Sequence, residues 1–313
     1  MNPNLPSGAV NQNIDSAGAG TLEFRLTASF TAVSTGHPVS ADQFEPGIPL
    51  EEQAFYHDLD FALVNYELAL GYSLASWVTL ETSIPLRTAY TSVRFLNEAD
   101  QVLEGFESIH HRNETLLGIG DVTFGARFDV LRDLEIDGLV LLISAGLSAP
   151  SGSTRPNPFA LAREGKRHQH IFFGTGTINP YLSAAVTYRM DWGRVSGFVL
   201  GKLSLYENRY GYKGPGIIYG GVDTASDFGL EVFEASLGVH AMREFPATWG
   251  DENAENSGRT DLMVAMGVSW RMSDAWWLRA GAKVPVYTEA IGGQLEIPII
   301  ADLGIAFSGD ILN

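Results

Sequence analysis

Acids and bases recur at even spacings along this chain. Glu23 and Arg25 form one such set, Glu67 another, then Glu81 with Arg87, then Asp121, Arg127 and Asp129, then Arg279 with Lys283. An even spacing puts side chains on one face of an extended strand. By the same phase Asn65, Arg189, Lys202, Glu234, Glu296 and Asp302 join that face. Mixed charge collected on one face can do two things. It can pair into a salt-bridged network that fills a narrow interior, or it can line a wet conduit and set which solutes pass.

Covalent and metal chemistry find little support. There is no cysteine, so disulfides and thiolate metal sites are excluded. No Walker loop and no G-x-S-x-G occurs. The pairs His110-His111 and His168-x-His170 lack a second cluster at zinc spacing. "DENAENSG" (251–258) alternates Asp251, Asn253 and Glu255 like a calcium loop, but Asn256 stands where the turn glycine belongs and no Glu follows at the twelfth place. No metal, no cofactor and no enzymatic activity is expected. Net charge is −17, the wrong sign for nucleic acid.

Against this acidic background "RPNPFALAREGKRHQHIFFG" (155–174) concentrates Arg155, Arg163, Lys166, Arg167, His168 and His170. One reading is a solvated loop meeting lipopolysaccharide phosphates. The other folds it inward as a constriction at a pore mouth, where Phe159, Phe172 and Phe173 meet an aromatic solute. Other loops are acidic, with Asp42, Glu45, Glu51, Glu52, Asp58, Glu98, Asp100, Glu104 and Glu107. They either keep the surface soluble or form a docking rim for a partner protein.

The elements that must carry the charged face read as strands. In "TLEFRLTASFTAV" Leu22, Phe24, Leu26, Ala28, Phe30 and Ala32 alternate with polar residues. "ALVNYELALGYS", "WVTLETSIPLR" and "DVTFGARFDV" behave likewise, as do runs at 139–149, 178–190, 194–206, 230–242, 262–271, 276–287 and 294–307. Period two is the strand signature. Several runs exceed the ~5–6 residues usual in soluble strands and reach the ~9–11 that cross a bilayer. Short connections at 73–76, 131–138, 189–193 and 271–275 alternate with long ones near 35–58, 93–114, 150–175, 207–227 and 246–260. Tyr72, Trp77, Tyr188, Trp192, Trp270, Trp276 and Trp277 gather beside the short turns, as an interfacial girdle would.

A soluble antiparallel sandwich also alternates, but it requires neither this loop asymmetry nor this aromatic clustering. The reading is all-β: a single antiparallel up-and-down transmembrane barrel. Eleven strands are clear, and parity places a twelfth in 214–230. The barrel is expected over 20–307, between a flexible N-terminal segment (1–19) and a short C-terminal tail (308–313). Val122, Phe124 and Phe128 then face lipid, and Asp121, Arg127 and Asp129 face the lumen. The start of the chain lacks a basic n-region and an apolar h-region, so a signal peptide is expected to have been removed.

"GIGDVTFGARFDVL" (118–131), "GLSAPSGSTRPNP" (146–158), "GTGTINPYLSAAVTYRM" (174–190) and "LRAGAKVPVY" (278–287) resemble the outer-membrane barrels of the phenol meta-pathway, transporter-like family. The resemblance runs from about 60 to 307. It implies a Gram-negative outer membrane and passage of small hydrophobic, often aromatic, molecules. It supplies no catalytic residues. One departure is that Phe307 has the phase of a terminal barrel aromatic, yet "SGDILN" follows it. The expected function is passive diffusion of a small hydrophobic or aromatic solute through a narrow charged lumen. The expected partners are membrane lipid, lipopolysaccharide and that solute. The alternative is a non-conducting barrel that anchors a surface or periplasmic complex. Oligomeric state is not legible.

Overall fold

In the computed structural model the alternating strands join edge to edge until the sheet meets itself. The structure describes residues 5, 18–39, 49–106, 108, 112–131, 136–255, 257–291 and 295–310. His110, His111, Asp42, Glu45, Glu107 and Asn256 lie outside them.

The wall comprises β1 (Thr21–Pro38), β2 (Tyr56–Ala75), β3 (Val78–Leu96), β4 (Glu114–Ile119), β5 (Thr123–Asp129), β6 (Leu139–Ser148), β7 (Asn179–Met190) and β8 (Gly193–Lys202). It continues with β10 (Ile217–Ser226), β11 (Phe233–Glu244), β14 (Arg259–Arg271), β15 (Trp276–Ala290) and β16 (Ile300–Asp310). Every pairing is antiparallel; β1–β16 and β2–β3 complete the ring. Because β4 and β5 follow one another along β3, they count as one stave. The chain is therefore a closed twelve-stranded antiparallel β-barrel. Closure leaves no edge along which backbone groups would need water. The twelfth strand is β10, inside the interval where sequence alternation falters. β16 runs to Asp310, three residues beyond the expected end of the barrel.

One stave is broken where the sequence predicts a continuous strand over 121–130. Leu86 pairs with Ile119 and Ser83 with Thr123, so Ile84 and Pro85 face three residues, 120–122. Proline lacks the N–H that the ladder needs there, and a bulge takes up the extra residue. Gly120 N donates to the Pro85 carbonyl at 2.8 Å and Val122 N to Ser151 Oγ at 2.8 Å.

Faces sort by phase. Leu26, Phe30, Phe124, Leu182, Val222 and Leu303 are all exposed on the outer wall. On the expected girdle Trp77, Tyr188, Trp192, Trp270 and Trp276 are exposed. Trp277, one residue on from Trp276, points inward instead and lines the lumen. The five short turns and the strand ends Thr21 and Asp310 lie at one end; the long loops lie at the other.

β2 has 20 residues and β3 has 19. Twenty residues at ~3.3 Å span roughly 66 Å, and at ~40° tilt they rise about 50 Å, twice the ~25 Å apolar band of a membrane barrel. The excess projects on the long-loop side. There the loops form their own cap. β9 (Tyr212–Lys213), β12 (Thr248–Trp249) and β13 (Glu252–Asn253) make a small sheet. Phe172, Tyr212, Ala247 and Ala254 are buried together beneath it. Burial pushes the Tyr212 phenol well above its ordinary range, so it stays protonated.

Candidate functional site

Inside the barrel the inward face divides into two zones. The half near the short turns encloses a cavity of about 800 Å³. The zone towards the long loops holds an apolar cluster bordered by buried polar groups, among them Arg87, Glu244 and the Arg259–Asp261 pair at 2.7 Å.

The cavity wall carries Glu23, Arg25, Glu67, Glu81, Arg127, Arg279 and Lys283. Each occupies the inward phase of its strand. Arg127 binds both carboxylate oxygens of Glu23 at 2.7 Å and also reaches Glu81 at 2.9 Å. Strands β1 and β5 are separated by β2 and β3, so this bridge passes over two staves inside the lumen and is not part of the ladder. Lys283 pairs with Asp302, which also accepts from Ser29 Oγ at 2.6 Å. Arg194 meets Glu234 at 2.6 Å. His240 sits between two partners, with Nδ1 2.7 Å from the Tyr219 hydroxyl and Nε2 3.0 Å from Asp223. Charges withdrawn from bulk water need such partners.

Other expected site residues stand elsewhere. Arg87 lies deeper, its Nη1 3.4 Å from the Phe173 carbonyl. Asp121 is not on a strand. It sits in the bulge, buried, and accepts from Thr175 N at 2.8 Å, Thr175 Oγ1 at 2.6 Å and Gly152 N at 3.1 Å. It thereby ties the loop after β6 to the broken stave. Asp129 ends β5, half-buried at the short-turn end and away from the cavity wall.

The basic loop differs from its inward reading. Arg155, Arg163, Lys166 and Arg167 are exposed. Lys166 pairs with Glu164 at 2.6 Å, and that contact holds the Glu164 carboxyl below its usual range. Phe159 lies in α1 (Pro158–Arg163), capped by Asn157, with its ring 5.3 Å from that of His170. His168 is buried. Its Nδ1 is 2.8 Å from the Lys166 carbonyl and its Nε2 is 3.0 Å from Nε2 of His170. What the loop sends into the lumen is Phe173. A Cβ built on Gly118 would sit 2.8 Å from the Phe173 ring, so glycine is what lets that ring lie against β4.

Phe173 belongs to an apolar plug with Phe61, Leu63, Ala89, Tyr219, Met242, Met263, Ile297 and Ile300. Leu5, from the N-terminal segment, is buried in it too. Phe198, Ile217 and Leu295 pack on its margin. Sequence reasoning missed this cluster. The signal was present: Phe61 and Leu63 hold the same phase as Asn65 and Glu67, and alternation yields there to the solid run "DFALV".

No family model and no curated protein matches the chain in sequence. Among solved structures, the COG4313 outer membrane channel from Pseudomonas putida F1 aligns over 96% of this chain and 100% of its own, with TM-score 0.61 and 11% identity. The toluene transporter TodX from P. putida aligns over 94% and 91%, with TM-score 0.42 and 9% identity. The CymD monoaromatic hydrocarbon channel aligns over 95% and 90%, with TM-score 0.41 and 9% identity. The first of these establishes a shared fold; the other two are too distant to carry weight. This chain is built on the twelve-stranded barrel architecture seen in that first outer-membrane channel.

Proposed function

We propose that the chain is a bacterial outer-membrane barrel that passes small hydrophobic or aromatic molecules by passive diffusion. The observation that carries this reading is the apolar plug inside a barrel whose outer wall is also apolar. A polar lumen packed only with ion pairs would suit a rigid scaffold. A wet channel for ions would keep polar side chains along its whole length. Here an apolar cluster stands between the loop cap and the charged cavity, with Arg87, Glu244 and the Arg259–Asp261 pair at its border, so a solute crossing it meets mostly apolar surface. Apolar molecules gain by transfer from water to such a surface and ions lose heavily. The P. putida F1 barrel that shares this fold is an outer membrane channel, which fits the same reading.

The test is uptake of N-phenylnaphthylamine, an apolar fluorophore, into intact Gram-negative cells. Cells producing the barrel should take it up faster than cells producing none, while single-channel conductance in planar bilayers stays small. Equal uptake in both would overturn the proposal.

The plug and the cross-lumen Arg127 bridge also support a second reading, a non-conducting scaffold that anchors a protein complex at the acidic loops. Unchanged uptake, together with one protein that co-purifies in fixed ratio, would establish it.

A further inference from the structure

Among the described residues four cations on the cavity wall have no ion-pair partner: Arg271, which ends β14 with its guanidinium 5.8 Å from the Trp277 ring, and three further in. Arg25, Lys202 and Arg279 all line the cavity. Among the described residues none of the three has an acid within the 4.0 Å of an ion pair. The Nε of Arg25 is buried without a hydrogen-bond partner.

Their nearest acids are committed elsewhere. Arg25 lies in the field of Glu81, which Arg127 grips at 2.9 Å. Arg279 faces Glu234, Asp223 and Asp302, already held by Arg194, His240 and Lys283 in turn. Arg194 is itself a like charge beside Arg279. Lys202 faces Asp121, whose oxygens take N–H and O–H donors from Gly152 and Thr175, and it has a second cation, Arg87, for company. Glu67, the remaining acid of the deep wall, faces Arg87.

Position along the strands adds depth. Counted from the short-turn end, Arg25 is the fifth residue of β1, Arg279 the fourth of β15 and Lys202 the tenth of β8. Two guanidiniums therefore stand near the mouth and one ammonium near the plug. Leu200 and Trp277 give the same cavity apolar wall between them. A cation drawn from water stays costly until an anion meets it, and planar guanidinium suits carboxylate geometry.

We propose that this cavity binds a small organic anion: an apolar body carrying one carboxylate, which Arg25 and Arg279 receive at the level of the mouth and Lys202 receives in turn at the level below the plug. The proposal rests on the reading of the lumen as a conduit and names the class of solute that it retains. At about 800 Å³ the cavity is in the range that holds such a ligand.

The test is isothermal titration of the purified barrel in neutral detergent with benzoate, benzyl alcohol and benzylammonium, similar in size and different in charge. Quenching of Trp277 fluorescence is the second readout. Benzoate should bind at least 10-fold tighter than either analogue. Arg25→Gln with Arg279→Gln should weaken benzoate at least 10-fold and leave benzyl alcohol unchanged, and Arg25→Lys with Arg279→Lys should keep most of the affinity. If the Gln pair fails to fold, judged by heat-modifiable migration, Lys202→Met carries the same comparison. Benzoate binding no tighter than benzyl alcohol, or unmoved by the Gln pair or by Lys202→Met, would overturn the proposal. That failure with accelerated fluorophore uptake leaves the conduit standing. Benzoate binding without uptake would instead mark a barrel that holds an anion and passes nothing.

Discussion

Arg127→Met is the most informative single change in the lumen. The guanidinium is the one cation between two acids, at 2.7 Å from Glu23 and 2.9 Å from Glu81, and its side chain is 9% exposed. Breaking a buried pair by removing one partner costs ~3–5 kcal/mol, because the other charge stays behind. Here two carboxylates stay behind and repel. Their cost has a ceiling, since each of them can take a proton. For a carboxyl with an ordinary value near 4.3, protonation at pH 7 costs about 3.7 kcal/mol, and at pH 5 about 1 kcal/mol. Water reaching Glu23 and Glu81, whose side chains are 24% and 27% exposed, lowers the figure further. Neutralising both would cost about 7 kcal/mol at pH 7, so there the unpaired charges govern and the expected loss is about 2–4 kcal/mol, against no more than about 2 kcal/mol at pH 5. The sign follows from linkage: crowded carboxylates make the folded variant bind protons more readily than the unfolded chain, so lowering the pH stabilises it relative to the parent. Urea unfolding in lipid vesicles, followed by tryptophan fluorescence at both pH values, measures it. Adding Glu23→Gln to Arg127→Met should recover most of the loss at pH 7. An equal loss at both pH values, with no recovery by Glu23→Gln, would show that Arg127 acts through packing and not through charge.

Phe124→Arg places a charge on the outer wall, where Phe124 is 56% exposed, and should cost ~2–4 kcal/mol in the same assay if its level is mid-membrane. Gly118→Val should drive the Phe173 ring from the plug, since even a Cβ would stand 2.8 Å from it, and single-channel recording should show conductance above the parent's. Tyr219→Phe removes the 2.7 Å contact to His240 Nδ1 and should cost about 1 kcal/mol of stability without changing the strand register. Lys166→Gln, on the exposed basic loop, should leave both stability and fluorophore uptake within error of the parent.

The wall was legible because its cause is local. Two solvents on two faces impose period two on most strands, and a strand such as 21–32 shows it without help from its neighbours. The broken stave was not legible from "DVTFGARFDV" alone. Its cause is Pro85 on the adjacent strand, more than thirty positions earlier in the chain, and only the pairing register brings the two together. Strand β10 was hidden for a related reason: Gly220 and Gly221 add no side chain to either face, so the alternation goes quiet. The charged cavity could be listed by phase, but which base meets which acid could not. Arg127 to Glu23 joins strands at opposite places in the sequence, and the contact exists only once the sheet has curled. The basic loop divides between its two readings: its charges are exposed, as in a solvated loop, while Phe173 alone among its named aromatics enters the lumen cluster, a split that charge and composition do not foretell.

If the barrel conducts as proposed, the plug sets what kind of solute the lumen favours. Leu63, Met263 and Ile300 are among the most completely buried side chains, so they offer little to hold an ion or a water. Moving a bare ion into such surroundings costs tens of kcal/mol by Born solvation. An aromatic ring that buries ~150–250 Å² instead gains roughly 4–6 kcal/mol at 25 cal/mol per Å². On the proposed function, that difference would give selectivity without a filter. It comes with a demand on the plug itself, because a packed core admits a ring only by giving way. Met242 and Met263 suit that demand, being unbranched and able to change shape at small cost. Phe173 suits it differently, since it comes from a loop and not from the wall, and Gly118 leaves it a smooth surface to slide along. The rigid parts of the barrel thus hold the charge, and the parts that can move hold the barrier.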